Sequence, residues 1–197
     1  MYSLRQYLQT LEDPHGLTRR LGEASLCRDD RGRAIYSTGN SAAVFRIRCQ
    51  GRTCALRCYF RPMRRLAAIY GDRYLPRELY LYTTPEQGRW VDAVLCDWVE
   101  GQTLHAAIAR AAESGDGERL AQLSEAFDRL ALELVTDDRA HGDLKPENLI
   151  LTPDGRLVPI DLDASFLPEF AGETSSEIGT AAFQHPDRTA AHFDASL

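Results

Sequence analysis

The period of the apolar positions changes along the chain. Leu4, Tyr7, Leu8 and Leu11 recur at three- and four-residue steps, one face of a helix, and Pro14 and Gly16 close that segment. From residue 34 to residue 60 the alternation is of the strand type: Ala34-Ile35-Tyr36, then residues 43–48, then residues 54–60, with Gln50-Gly51 as the turn between the second and third runs. A short helix is predicted over 63–70, and two further strands over 78–83 and 90–96, separated by a turn at Pro85 and Gly88. Helical periodicity returns at 102–112 and 118–139, the latter with Leu120, Leu123, Phe127, Leu130 and Leu134 on one face. A pair of short apolar strands then flanks the turn Pro153-Asp154-Gly155. The pattern predicts an α+β chain: a helical extension (1–33), a region of five antiparallel strands and one short helix (34–97), and a mainly helical region (98–197).

Composition narrows the class. Hydrophobic residues at 44% and charged residues at 26% suit a packed globular chain. A formal net charge of −6 argues against general affinity for nucleic acid or an anionic membrane. The Arg-rich stretch 57–73 is a local exception that reads as a solvated basic face. No apolar run approaches the length needed to span a bilayer, and the N-terminal residues lack the apolar core of a signal peptide. Cys27, Cys49, Cys54, Cys58 and Cys96 show no C-x-x-C spacing, and several fall within predicted strands, where reduced thiols act as small apolar side chains. A cytoplasmic protein is the expectation.

The chemistry concentrates between residues 141 and 163. His141-Gly142-Asp143-Leu144-Lys145-Pro146-Glu147-Asn148 is followed, after the two short strands, by Ile160-Asp161-Leu162-Asp163; Asn148 lies five residues and Asp161 18 residues after Asp143. Two carboxylates, an amide and an ammonium at fixed offsets are the hard oxygen ligands and the cation that phosphoryl transfer with Mg²⁺ requires. Letters and spacing resemble the H-R-D-L-x-x-x-N and D-F-G motifs of the protein-kinase-like family, with Lys145-Pro146-Glu147-Asn148 resembling the Ser/Thr-specific version. The resemblance extends over about residues 34 to 190.

It implies a two-lobed kinase-like fold, a five-stranded N-lobe and a partial helical C-lobe, with ATP and Mg²⁺ held near the hinge and the γ-phosphoryl passed to a Ser/Thr-type hydroxyl of a protein substrate. By that resemblance Asp143 is the catalytic base and Lys145 the charge stabiliser, while Asn148 and Asp161 are the metal ligands. Ser37 to Val44 occupies the place of the glycine-rich loop, with Gly39 and Val44 as its surviving positions. Arg57 stands where the family has a phosphate-holding lysine. Guanidinium and ammonium are not interchangeable at a tight site. The glutamate that partners this lysine is missing from residues 63–70, and Glu78, placed at the head of a strand, is the nearest acidic candidate. Backbone groups at Asp97 and Val99 take the hinge role beside adenine, with Cys96 as gatekeeper. Residues 178–187 resemble the end of an activation segment, with Thr180 touching the catalytic Asp and Lys.

The chain also departs from the pattern. Gly142 replaces an arginine that in many kinases pairs with a phosphorylated loop, Asp163 replaces a glycine, and Pro159 precedes the metal-binding motif. The sequence stops at residues 195–197, about where lower-lobe helices are expected to begin. That predicts either a longer parent protein or a dimer or partner covering the apolar face of the long helix. Two other functions are compatible with these departures: a pseudokinase acting as a nucleotide-binding or interaction module, and a small-molecule kinase, which Gly142 favours.

Overall fold

A computed structural model of the chain describes residues 1–175, 177–191, 193 and 194. Residues 195–197, about where further helices were expected to begin, lie outside the described residues. The architecture is mixed α and β, with four α-helices among the described residues. The chain divides into two compact units between Trp98 and Val99.

The first unit is built on a curled antiparallel sheet. Its strands are β1 (Ser25–Leu26), β2 (Tyr36–Thr38), β3 (Ala42–Cys49), β4 (Arg52–Tyr59), β5 (Tyr74–Tyr82) and β6 (Gly88–Asp97), in the order β1-β3-β4-β6-β5 with β2 also on β3. Strict alternation along β3 and β4 sends Ala43, Phe45, Ile47, Cys49, Cys54, Leu56 and Cys58 into one apolar core. Helix α1 (Leu4–Glu12) covers that core with Tyr7 and Leu11. Ser3 starts the helix through a reciprocal capping box with Gln6. Gln6 Nε2 and Thr10 Oγ1 donate to the carbonyls of Tyr82 and Tyr80, each at 2.7 Å, and so fix the helix to β5. Residues 1–33 are thus integral to this unit, and β1 adds a sixth strand to the five expected.

Two boundaries moved for physical reasons. Helix α2 is five residues, Leu66–Tyr70, and a 3-10 turn at Gly71–Arg73 leads directly into β5. β5 therefore starts at Tyr74, four residues before the predicted head of the strand. An irregularity between Leu75 and Leu79, next to Pro76, interrupts the two-residue period by which the strand was sought.

The second unit packs helix α3 (Leu104–Glu113) and helix α4 (Gly117–Val135) on a small sheet of β7 (Gln102–Thr103), β8 (Leu149–Leu151) and β9 (Leu157–Pro159). Thr103 and Asp116 cap the two helices by accepting N–H bonds from Ala106 and Arg119. Helix α4 buries Leu123, Ala126 and Leu130, whereas Leu120 and Phe127, expected on the same face, remain 37% and 39% exposed. The helix ends at Val135, before 139, because Thr136 turns its hydroxyl onto the carbonyls of Leu132 and Glu133. No helix among the described residues is long and apolar enough to cross a membrane.

Candidate functional site

The loop after α4 is fixed at both ends by main-chain pairing. Ala140 forms a two-way antiparallel bridge with Phe166, and Ile160 N–H donates to the Asn148 carbonyl at 2.9 Å. Between these anchors the backbone crosses itself closely. Gly142 takes φ +76°, and a Cβ there would lie 2.0 Å from the Ala164 carbonyl oxygen. The arginine of the family pattern has no room at this position. Gly179, at φ +79°, abuts the same place, since its Cβ would meet the Gly142 carbonyl at 2.5 Å. Gln184 Nε2 donates to that carbonyl at 3.2 Å, a contact between segments 42 residues apart.

His141 braces the loop from inside. Its Nε2 lies 2.8 Å from the Ile160 carbonyl and its Nδ1 accepts the Asp143 N–H at 3.3 Å. A carbonyl only accepts, so the proton sits on Nε2 and the neutral ring satisfies both partners. Burial lowers the His141 pKa, and the Ile160 hydrogen bond and the charges of Asp161 and Asp143 only partly oppose it.

Asp143 is the centre of the hydrogen bonding. Its Oδ1 accepts the Thr180 N–H at 2.7 Å; its Oδ2 lies 2.9 Å from Lys145 Nζ and 3.1 Å from Asn148 Nδ2. Lys145 Nζ also donates to Thr180 Oγ1 at 2.8 Å, and Asn148 Nδ2 to the Asp143 carbonyl at 2.8 Å. Burial alone pushes the Asp143 carboxyl up, but the bonds from Lys145 and Thr180 outweigh it and hold the group below the ordinary aspartate range. Lys145 is extended because a proline follows, and Pro146 opens the 3-10 turn 146–148 that swings Asn148 back.

Four of the residues singled out by sequence thus meet: Asp143, Lys145, Asn148 and Thr180. Asp161 follows Ile160, whose carbonyl meets His141 and whose N–H meets the Asn148 carbonyl. Pro159 is the last residue of β9, where a missing donor does no harm. The left-handed conformation falls on Asp161 itself, φ 63°, ahead of Asp163, which is buried in a 3-10 turn. Aspartate is among the few side chains that tolerate it.

The donor chemistry fits a hard cation. Among the described residues no group of three or more His, Cys, Asp and Glu side chains is placed to hold a metal. A cation here would rest on Asn148 and Asp161 and take its remaining ligands from phosphate and water, the usual protein share for Mg²⁺. Asn148 is 6% exposed and spends its amide N–H groups on Asp143, so that its Oδ1 is the end left for a ligand.

Of the residues expected at the nucleotide, Gly39, Val44, Arg57 and Asp97 lie in the first unit and Val99 in the second. Val44 and Arg57 face each other across β3 and β4, and Arg57 faces Val94 across β4 and β6. The alternation that buries Phe45, Leu56 and Cys58 puts Val44, Arg46, Ala55, Arg57 and Cys96 on the opposite sheet face. Arg57 lies over the Tyr59 ring at 5.6 Å. Gly39 is in the β2–β3 turn, where its N–H is spent on the Ala42 carbonyl at 2.9 Å. Asp97 ends β6 and contacts Arg52 at 3.4 Å; Val99 opens the second unit.

Glu78 corrects the expectation of an acidic partner for Arg57. It is fully buried in β5, and its Oε1 accepts three successive N–H groups, from Arg19, Arg20 and Leu21, at 3.0, 2.8 and 2.8 Å. A backbone nest of this kind leaves no pattern in side-chain spacing.

Lys145 is the only lysine of the chain, against 22 arginines. Arg57 thus carries the cation usual for this chain, and the single compact ammonium stands where it meets Asp143 and Thr180. No protein-family model and no curated protein matches the sequence at a significant level.

Proposed function

We propose that the chain is a protein-kinase-like phosphotransferase of the two-lobed kind that moves the γ-phosphoryl of ATP to a Ser/Thr-type hydroxyl of a protein. The observation that carries this reading is the closed set Asp143, Lys145, Asn148 and Thr180, in which one carboxylate receives an ammonium, an amide and a main-chain N–H. The motif spacing and this bonding both suit the chemistry.

Asp143 stays ionised at neutral pH. Its Oδ1, the oxygen turned to the Thr180 N–H and away from Lys145 and Asn148, is the one that orients the acceptor hydroxyl and takes its proton. Lys145, held by Asp143 and Thr180, is the proposed stabiliser of the developing phosphoryl charge. Bound Mg²⁺ would neutralise phosphate charge, held by Asn148 Oδ1 and the Asp161 carboxylate. His141, uncharged, keeps the loop in register without adding a cation that would compete. Arg57, Val44 and the backbone at Asp97 in the first unit, and the backbone at Val99 at the start of the second, are the proposed nucleotide contacts.

A second reading, a nucleotide-binding or interaction module without transfer, is favoured by the first unit: the Gly39 N–H is used in its own turn, and Glu78 is bound elsewhere. A thermal-shift titration with Mg-ATP, followed by incubation with γ-labelled ATP and separate protein, peptide and aminoglycoside acceptors, decides. Stabilisation with label on protein Ser or Thr is the expected result. Label on the small acceptor alone would make it a metabolite kinase. Stabilisation without transfer, or no response to ATP, would refute transfer and favour the module.

A further inference from the structure

We infer that the outer face of α3 and α4 is a docking groove for a cationic amphipathic segment of another protein. Leu104, Ile108, Leu120, Leu123, Phe127 and Pro146 line an open apolar cavity of about 330 Å³ within the second unit. Ile108, Leu120 and Phe127 are each more than a third exposed. The face continues past the cavity: Leu120, Ser124, Phe127, Ala131 and Val135 fall at i, i+4, i+7, i+11 and i+15, a second stripe beside the buried one of Leu123, Ala126 and Leu130. Val135 is 77% and Leu132 68% exposed. A stripe of this period on an exposed helix is what a partner helix reads.

Charge selects the partner. Residues 1–98 carry 16 arginines against 10 carboxylates, a formal +6; residues 99–197 carry 19 carboxylates against 7 basic side chains, a formal −12. The groove shares that sign. Asp116 caps α4 one turn before Leu120, Asp128 sits one turn after Ser124, and Glu147 follows Pro146; all three are exposed. His105 approaches Glu147 at 3.2 Å; Arg119, one turn before Leu123, donates to Gln122 at 2.9 Å, and Arg110 and Arg129 each lie two residues from Ile108 and Phe127, on the far side of their helices, so that carboxylates outnumber cations at the groove. A second copy presenting the same face would set these carboxylates against themselves, which an isologous contact cannot avoid. The occupant is therefore a segment with an apolar stripe and arginine or lysine flanks.

The test uses the full chain and two fluorescein-labelled synthetic helices of about 15 residues, both with leucine at i, i+4, i+7 and i+11, one flanked by arginine and one by glutamate. We expect the arginine peptide to bind at least about tenfold tighter, and Phe127→Asp or Leu120→Asp each to weaken it about tenfold or more. Joint replacement Asp128→Lys and Glu147→Lys erases the preference. Circular dichroism melts establish that the variants fold, and Ile108→Ser serves if an aspartate variant does not. Absence of binding, equal binding of both peptides, or indifference to folded variants overturns the proposal. So does a dimer in light scattering that Phe127→Asp dissociates, since it would assign the face to a second copy.

Discussion

At the scale of single residues, the loop 141–148 works by excluding alternatives. His141 accepts from Asp143 N–H and donates to Ile160 only when neutral, and its pKa is lowered. A histidine depressed below its unfolded value, near 6.5, contributes stability above that value and loses it as pH falls toward the folded pKa. Melting temperature is therefore expected to drop as pH is lowered from 7 through about 6, with a slope of at most about 1.4 kcal/mol per pH unit from this group, and His141→Gln flattens that drop. Gly142→Ala sets a methyl against the Ala164 carbonyl at a positive φ. The expected loss is about 2–4 kcal/mol in chemical denaturation, and an unchanged midpoint would contradict so close a crossing. Lys145, as the only lysine, allows a selective experiment: amine-directed acylation followed by mass spectrometry finds two sites, the N-terminus and Lys145, and Mg-ATP slows only the second.

At the scale of elements, Glu78 joins β5 to the turn 19–21. Glu78→Ala removes the acceptor from the N–H groups of Arg19, Arg20 and Leu21, the last of them buried, and is expected to cost about 2–4 kcal/mol, with Glu78→Gln costing less because one oxygen remains. Equal effects of the two, measured by urea titration, would show that the nest contributes little. Such a link was not legible in the sequence, since a carboxylate bound to main-chain N–H groups leaves no trace in the order of side chains. The core of β3 and β4 was legible, because strict alternation is itself the cause of burial there. The inward face of α4 was read too broadly: the helix carries two apolar stripes, and periodicity cannot tell which one its own unit covers. The site was legible in Asp143, Lys145 and Asn148, where a proline and short offsets set the geometry. Gln184 on the Gly142 carbonyl, 42 residues away, had no pattern to give it up.

At the scale of the molecule, two units of opposite formal charge carry different parts of the proposed work: nucleotide contacts in the arginine-rich first unit, and the proton acceptor, ammonium and metal ligands in the carboxylate-rich second. The account rests on Asp143 acting as an ionised base. The most direct measurement is the rate of γ-phosphoryl transfer from Mg-ATP by wild type and by Asp143→Asn, with equal folding verified by melting. The account predicts a fall of about 10²–10⁴-fold, the usual contribution of a positioned base. Transfer that survives the replacement, or a wild type that transfers nothing to any acceptor while binding Mg-ATP, would contradict it.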